Sequence, residues 1–316
     1  MIKTWELRTS LIFFPEFPNL SAKTNEPIYL QAQPSRCMNS IVITIVLGAA
    51  LSHALWNLLL KQTESRLMMM MSMHTVTGLL GLVLIPFIGP VEEAAWPMLL
   101  MSTVVHGGYY VFLTFSYRNV ELGQAYPILR GTGPIVVFLA SMIFLDEPVS
   151  EFQLFAFFLI AGGILSLSLR SFGYFQKQPS TIFYALGTGV LIGIYSLIDG
   201  IGVRNSGNIL GYICWLFFLE MLMVQAYAFY HYRSDTIPRL FKLGWSGVWA
   251  GLLAAYAYGS VLWAMGSAPI MLVSALRETS VVMASVLGIL ILKESKDLLK
   301  VLASLLVTLG IVLLKA

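Results

Sequence analysis

The sequence predicts an all-α polytopic membrane protein of ten transmembrane helices, arranged as two inverted repeats of five. Three observations carry that prediction. The 316 residues are 58% hydrophobic and only 11% charged, whereas a soluble domain carries about 25% charged residues. From residue 40 onward, apolar runs of membrane-spanning length follow one another with short breaks. A rare intramembrane arginine, a span-ending glutamate and a glycine recur at one offset of 147 residues: Arg130 and Arg277, Glu147 and Glu294, Gly163 and Gly310.

Taken in order, the runs cover residues 40–60, 67–89, 96–116, 122–145, 152–169, 181–203, 208–230, 245–265, 269–292 and 298–314. A spanning helix needs about 20 mostly apolar residues, and each run approaches or exceeds that length. The weakest breaks are Pro97 and Ala268-Pro269. Residues 1–39 form an N-terminal extension of different character. Glu6, Glu16, Glu26 and prolines 15, 18, 27 and 34 interrupt any helix there, and Leu11-Ile12-Phe13-Phe14 is too short for a signal-peptide core. Met38-Asn39-Ser40 opens directly into the first span. The extension is therefore expected to be disordered or to lie upstream of the true start.

The repeat assigns residues 40–170 to helices one to five and residues 181–316 to helices six to ten. The offset also matches Leu129 with Leu276, Thr132 with Thr279, Ile164 with Ile311 and Tyr109 with Tyr256. At an offset of 142, Ser52-His53-Ala54-Leu55-Trp56-Asn57 aligns with Ile194-Tyr195-Ser196-Leu197-Ile198-Asp199. Five spans per repeat is an odd number, so the second copy enters the membrane from the opposite side. Inverted repeats of this kind characterise many secondary transporters, whose substrate sites lie near the bilayer midplane at the repeat interface.

In these residues the chain resembles the EamA-type members of the drug/metabolite transporter superfamily. The fourth span of each half ends in Leu-x-Glu, as Leu145-Asp146-Glu147-Pro148 and Leu292-Lys293-Glu294, and the next span carries a late glycine, Gly163 or Gly310. The stretch from His53 to Lys61 is similar to the first-helix motif of one EamA branch, and Tyr195-Ser196-Leu197-Ile198-Asp199-Gly200 to its sixth-helix counterpart. The resemblance covers about residues 40–316 and implies a ten-helix exporter or permease of small metabolites. Glu294 lacks the proline that follows Glu147, a departure from the pattern.

Five charged residues fall well inside the predicted spans: Arg130, Asp199, Glu220, Arg277 and Glu278. Insertion scales put an ionised side chain at the bilayer centre at about 2.5–3.5 kcal/mol, so such groups face the protein interior, pair, or line water. Arg130 and Arg277 are each ninth in their runs, roughly 12 Å from the helix start at about 1.5 Å per residue. With inverted halves they approach the midplane from opposite sides. Guanidinium groups bind carboxylate or phosphate bidentately, which would suit an anionic substrate group. The alternative is structural: each arginine caps carbonyls freed near Pro127 and Pro134, or pairs with Glu278 or Glu220. Glu220 lies close to the midplane, where a carboxyl serves either proton coupling or a hydrogen bond between helices. Asp199 sits among Gly187, Gly189, Gly193, Gly200 and Gly202, where close helix approach offers it a cross-helix hydrogen bond.

Weaker candidates surround these. Trp56, Asn57, Tyr126, Tyr195 and Trp263 are candidate pocket residues, although aromatics also serve ordinary helix packing. His53, His74 and His106 lie on different spans without metal-ligand spacing, which favours hydrogen-bonded or helix-bridging roles, and His53 joins the polar midplane set. Met68 to Met71 read as a lipid-facing start of the second span.

The expected function is a secondary transporter working by alternating access, with a small-molecule substrate, anionic or zwitterionic, and proton coupling. The alternative is an intramembrane enzyme or a lipid-carrier flippase using the same midplane cavity. No Walker motif and no His-Glu-x-x-His zinc motif occurs in the sequence. No cofactor or metal is expected. Cys37 and Cys214 supply neither a disulfide framework nor a zinc site. A net charge of +3 is too mild to suggest nucleic acid. Loops after odd-numbered spans, counted with Lys300 just inside the tenth run, hold 11 Lys and Arg, and those after even-numbered spans with the C-terminus hold two, Arg204 and Lys315. The positive-inside rule then places the odd loops in the cytoplasm and both termini outside, in a bacterial inner membrane.

Overall fold

Among the described residues of the computed structural model, every regular element is helical. Those residues are 38–61, 63, 66–116, 122–145, 147, 149–167, 179–233, 238, 244–291 and 298–314. The helices are α1 (Ser40–Lys61), α2 (Arg66–Ile88), α3 (Trp96–Ser116), α4 (Leu122–Phe144), α5 (Glu151–Ser166), α6 (Pro179–Arg204), α7 (Ile209–Tyr232), α8 (Gly244–Met265), α9 (Ile270–Arg277), α10 (Ser280–Ile291) and α11 (Leu298–Leu313). Among the described residues, seven segments are long and apolar enough to cross a membrane, one of them running through α9 into α10. Shorter apolar helices occupy Ile128–Phe144, Glu151–Ser166 and Val301–Leu313. The expectations placed on residues 1–37 and on Glu294 lie outside the described residues.

Solvent preference is inverted relative to a water-soluble protein. Phe87, Val104, Ile143 and Trp245 are each more than 70% exposed, while Asp199, Glu278 and Thr188 are fully enclosed. So many exposed large apolar side chains would make an aggregating surface in water. Against lipid they cost nothing, and the polar groups must then be satisfied inside. The chain is an integral membrane protein.

Close helix crossings set the frame. In α5 a Cβ on Gly163 would lie 3.1 Å from the carbonyl oxygen of Ala303 in α11. Conversely, a Cβ on Gly310 would lie 2.9 Å from that of Ala156. Without a side chain at these two positions the backbones approach closely enough to gain packing that the bilayer itself does not drive. The α4–α6 crossing uses the same device: a Cβ on Gly189 would lie 2.7 Å from the carbonyl oxygen of Leu129. That contact fixes the turn of α4 carrying Arg130.

Two expectations need correction. The ninth run is not one continuous helix but breaks at Glu278-Thr279 into α9 and α10. There the hydrogen bonds tighten to three-residue spacing, from Glu278 N–H to the Ala275 carbonyl at 3.1 Å and from Thr279 N–H to the Leu276 carbonyl at 3.2 Å. The Thr279 hydroxyl also donates to the Leu276 carbonyl at 2.7 Å, competing with the regular ladder. The second correction concerns the methionine run. Met68, Met69 and Met71 are buried rather than facing lipid. The start of α2 is enclosed by α7 and α8, where Met69 packs with Leu60 and Ala250, and Met71 with Val224 and Ala228. Flexible thioethers suit such irregular gaps.

A polar cluster ties one end of the bundle together. Both carboxylate oxygens of Glu147 accept from the Ile270 N–H, at 3.0 and 3.1 Å, capping the start of α9. Arg204, at the end of α6, donates to Glu147 at 2.7 Å and to the carbonyls of Met265 and Ala268, both at 2.9 Å. A carboxylate at a helix N-terminus meets orphan N–H groups and the positive end of the helix dipole. This fixes where α9 begins, and hence the depth of Arg277.

Candidate functional site

A cavity of about 130 Å³ lies between the helices, and Arg130, Arg277 and Glu220 all contribute to its wall. Arg130 comes from the α4 turn held against α6, and Arg277 from the last turn of α9, just before the break. Both are buried, at 4% exposure. The carboxylate of Glu278 lies between them. Arg130 Nη1 donates to Glu278 Oε1 and Oε2 at 3.2 and 3.1 Å. Arg277 Nε donates to Oε1 at 2.9 Å, and its Nη2 lies 2.7 Å from the same atom. Glu278 is fully enclosed; it anchors the arginines rather than lining the cavity. The arginines therefore pair with an acid, as the structural alternative expects, and also border open space.

Two guanidinium groups share the Glu278 carboxylate, and His53 joins them without adding charge. Arg130 Nη2 contacts its Nε2, and because a guanidinium only donates, that nitrogen accepts and the ring is neutral. His53 also meets Trp56 edge to face, with ring centroids 4.7 Å apart, and both line the cavity. Guanidinium groups in a low-dielectric wall attract anions far more strongly than the same groups in water.

Facing this cationic side is an aromatic and imidazole wall. Tyr195 stacks on His106 with centroids 3.9 Å apart and packs edge-on against Tyr109 and Tyr258. Glu220 Oε1 lies 3.2 Å from His106 Nε2, and Oε2 lies 3.7 Å from His74 Nδ1. Tyr110 and His74 Nε2 are 2.8 Å apart. No group of three or more His, Cys, Asp or Glu among the described residues could hold a metal ion.

The remaining sequence candidates fall elsewhere. Asn57 donates to the His53 carbonyl of its own helix at 2.8 Å; it is tied up locally, away from the cavity wall. Asp199 lies behind that wall, accepting from the Tyr212 hydroxyl at 2.9 Å and from the Tyr258 hydroxyl. Its partners are on α7 and α8, so it does bridge helices. Trp263 is 36% exposed, on the outer surface. The Tyr126 side chain lies outside the described residues. Sequence reasoning missed Tyr258. Tyr256 and Tyr258 are two positions apart and so face nearly opposite ways on α8. The first is 49% exposed and the second enters the cavity wall. Arg204 and Glu147 were visible only as a loop charge and a repeat marker.

Comparison with known proteins gives a consistent picture. The EamA-like transporter family matches residues 40–169. A Bacillus subtilis protein named as an uncharacterized membrane protein, YvaE, is 30% identical over 70 residues. That match covers 22% of this chain and 59% of the relative's length. One crystal structure superposes with a TM-score of 0.67 at 16% identity, over 87% of this chain and 96% of its own; a likeness at that identity is one of fold alone.

Proposed function

We propose that this membrane protein, whose residues 40–169 match the EamA-like transporter family, is a secondary transporter. It moves a small anionic or zwitterionic metabolite by alternating access through the cavity bordered by Arg130 and Arg277. The observation that carries this reading is that two buried arginines, Arg130 and Arg277, border the cavity together while sharing the carboxylate of Glu278. A carboxylate or phosphate entering the cavity accepts charge-assisted hydrogen bonds from them.

Alternating access needs two halves that can rock against each other, and the inverted-repeat reading supplies them. Its support is the pairing of helices. The second helix of one half packs on its counterpart, α2 on α7, and the fifth likewise, α5 on α11. The first and third helices pair crosswise, α1 with α8 and α3 with α6. A two-fold relation between the halves maps each of these contacts onto itself or its partner. Gly163 against Ala303 and Gly310 against Ala156 obey the same exchange, both at the 147-residue offset. The interface between such halves is where substrate sites of inverted-repeat transporters lie.

The test is solute flux into proteoliposomes containing the purified chain, against a panel of organic acids, phosphorylated metabolites and amino acids. Saturable flux of an anionic or zwitterionic member supports the reading. Flux confined to cationic or uncharged solutes refutes the role given to the arginines.

A further inference from the structure

Glu220 is the carboxylic acid among the described residues that line the cavity, and its surroundings carry information about protons. At the α2–α7 crossing a Cβ on Gly78 would lie 2.3 Å from Met221 Cβ, so the two backbones come together there and set His74, one turn earlier, across from Glu220. From the other side α3 brings His106. The His106 Nδ1 is 2.9 Å from the Ser102 carbonyl oxygen and 3.2 Å from the Ser102 hydroxyl oxygen, the carbonyl contact being the shorter. A carbonyl only accepts, so Nδ1 carries the ring hydrogen. In the neutral ring, Nε2 then presents its lone pair to Glu220 Oε1 at 3.2 Å. Two lone pairs at that distance repel. One proton between them removes the conflict, as a neutral O–H to nitrogen hydrogen bond or as an imidazolium–carboxylate pair.

The other groups around Glu220 do not take over this role. His74, on α2, has its Nε2 against the Tyr110 hydroxyl and its Nδ1 at the longer distance of 3.7 Å. Asp199, on α6, has both carboxylate oxygens accepting from tyrosine hydroxyls, Tyr212 of α7 and Tyr258 of α8; it is satisfied without a proton. Tyr109 and Tyr110 of α3 and Tyr195 of α6 are neutral phenols. Arg130 and Arg277 are bound to Glu278.

We propose that Glu220 and His106 together form a proton-binding site in the cavity wall, and that the proton bound there is the coupling ion of transport. This rests on the transporter reading. When the cavity opens to one side, water takes the shared proton. The O–H or N–H bond breaks, and the electron pair stays on the Glu220–His106 pair. On the other side water gives a proton back, and nothing else is oxidised, reduced or transferred. Unprotonated, Glu220 and His106 face each other with two lone pairs at 3.2 Å in an enclosed wall, so the site reloads before the cavity closes.

The test has two arms. Infrared difference spectra of the full chain in phosphatidylcholine–phosphatidylglycerol vesicles are recorded across pH for the wild type, Glu220→Gln and His106→Gln. The wild type is expected to show a carboxyl or imidazole titration step that is lost in both variants; a step that persists unchanged in both overturns the site. Should Glu220→Gln not survive purification, Glu220→Asp is expected to shift the step, and an unshifted step overturns it equally. In the second arm, vesicles loaded with a pH-sensitive dye report proton movement when the metabolite panel is added. Solute flux with accompanying proton movement in the wild type, lost in Glu220→Gln, supports coupling, and solute flux without proton movement overturns it. A wild type that keeps the titration step but moves no solute overturns the transporter reading instead.

Discussion

Arg130 of α4 and Glu278 at the α9–α10 break meet within 3.1–3.2 Å across nearly half the sequence, and the same carboxylate holds Arg277 at 2.7–2.9 Å. One acid thus anchors two bases that lie 147 residues apart. The arrangement gives Glu278 the duty of holding both guanidinium groups.

Glu278→Gln should therefore be the most damaging single change at this site. It removes the negative charge shared by two buried guanidinium groups. Leaving a buried charge without its partner costs about 3–5 kcal/mol. The variant should melt well below wild type in detergent. Adding Arg277→Gln to it should restore part of the loss, because the like-charge conflict is relieved. A Glu278→Gln protein that melts with the wild type would show that Glu278 does not hold the pair.

At the α5–α11 crossing, Gly310→Ala should destabilise more than Gly163→Ala. A Cβ at Gly310 would meet Ile160 Cγ1 at 2.7 Å and the Ala156 carbonyl at 2.9 Å, whereas at Gly163 the nearest approach is 3.0 Å. Overpacking of this kind costs about 1–3 kcal/mol, and the tighter site lies toward the upper end. Thermal denaturation of the two variants side by side checks the order.

Arg204→Gln removes the cation that links Glu147 to the Met265 and Ala268 carbonyls. Glu147 would keep the Ile270 N–H, so α9 should still start in place, but the end of α6 would be freed from α8 and α9. Losing a charged hydrogen bond costs about 1.5–3 kcal/mol. The expected outcome is a lower melting temperature with faster labelling of a cysteine placed at Ser267. Unchanged labelling would show that the cluster does not hold these helix ends together.

Much of this was legible in the sequence, for a physical reason. A bilayer demands long apolar runs, so the spans announced themselves, and a charge inside such a run is expensive enough to mark Arg130, Arg277, Glu278, Glu220 and Asp199 as interior groups. What the sequence did not carry was helix rotation. In a span apolar on every side, no periodic stripe tells which face meets lipid. Met68, Met69 and Met71 consequently read as lipid-facing although α7 and α8 cover them. Tyr258 was likewise indistinguishable from Tyr256. The break at Glu278-Thr279 was hidden too, because threonine back-bonding ends a helix only where packing permits it. Glu147 and Arg204 are far apart in sequence and meet only once α6 and α9 are docked.

The most direct measurement is substrate affinity in proteoliposomes for wild type, Arg130→Gln and Arg277→Gln, using whichever panel metabolite the wild type moves. Each substitution removes a charged hydrogen bond of about 1.5–3 kcal/mol, so affinity should fall by roughly tenfold to a hundredfold, with the folded protein still recovered. Wild-type affinity in both variants would contradict the account, since the arginines would then border the cavity without touching what passes through it.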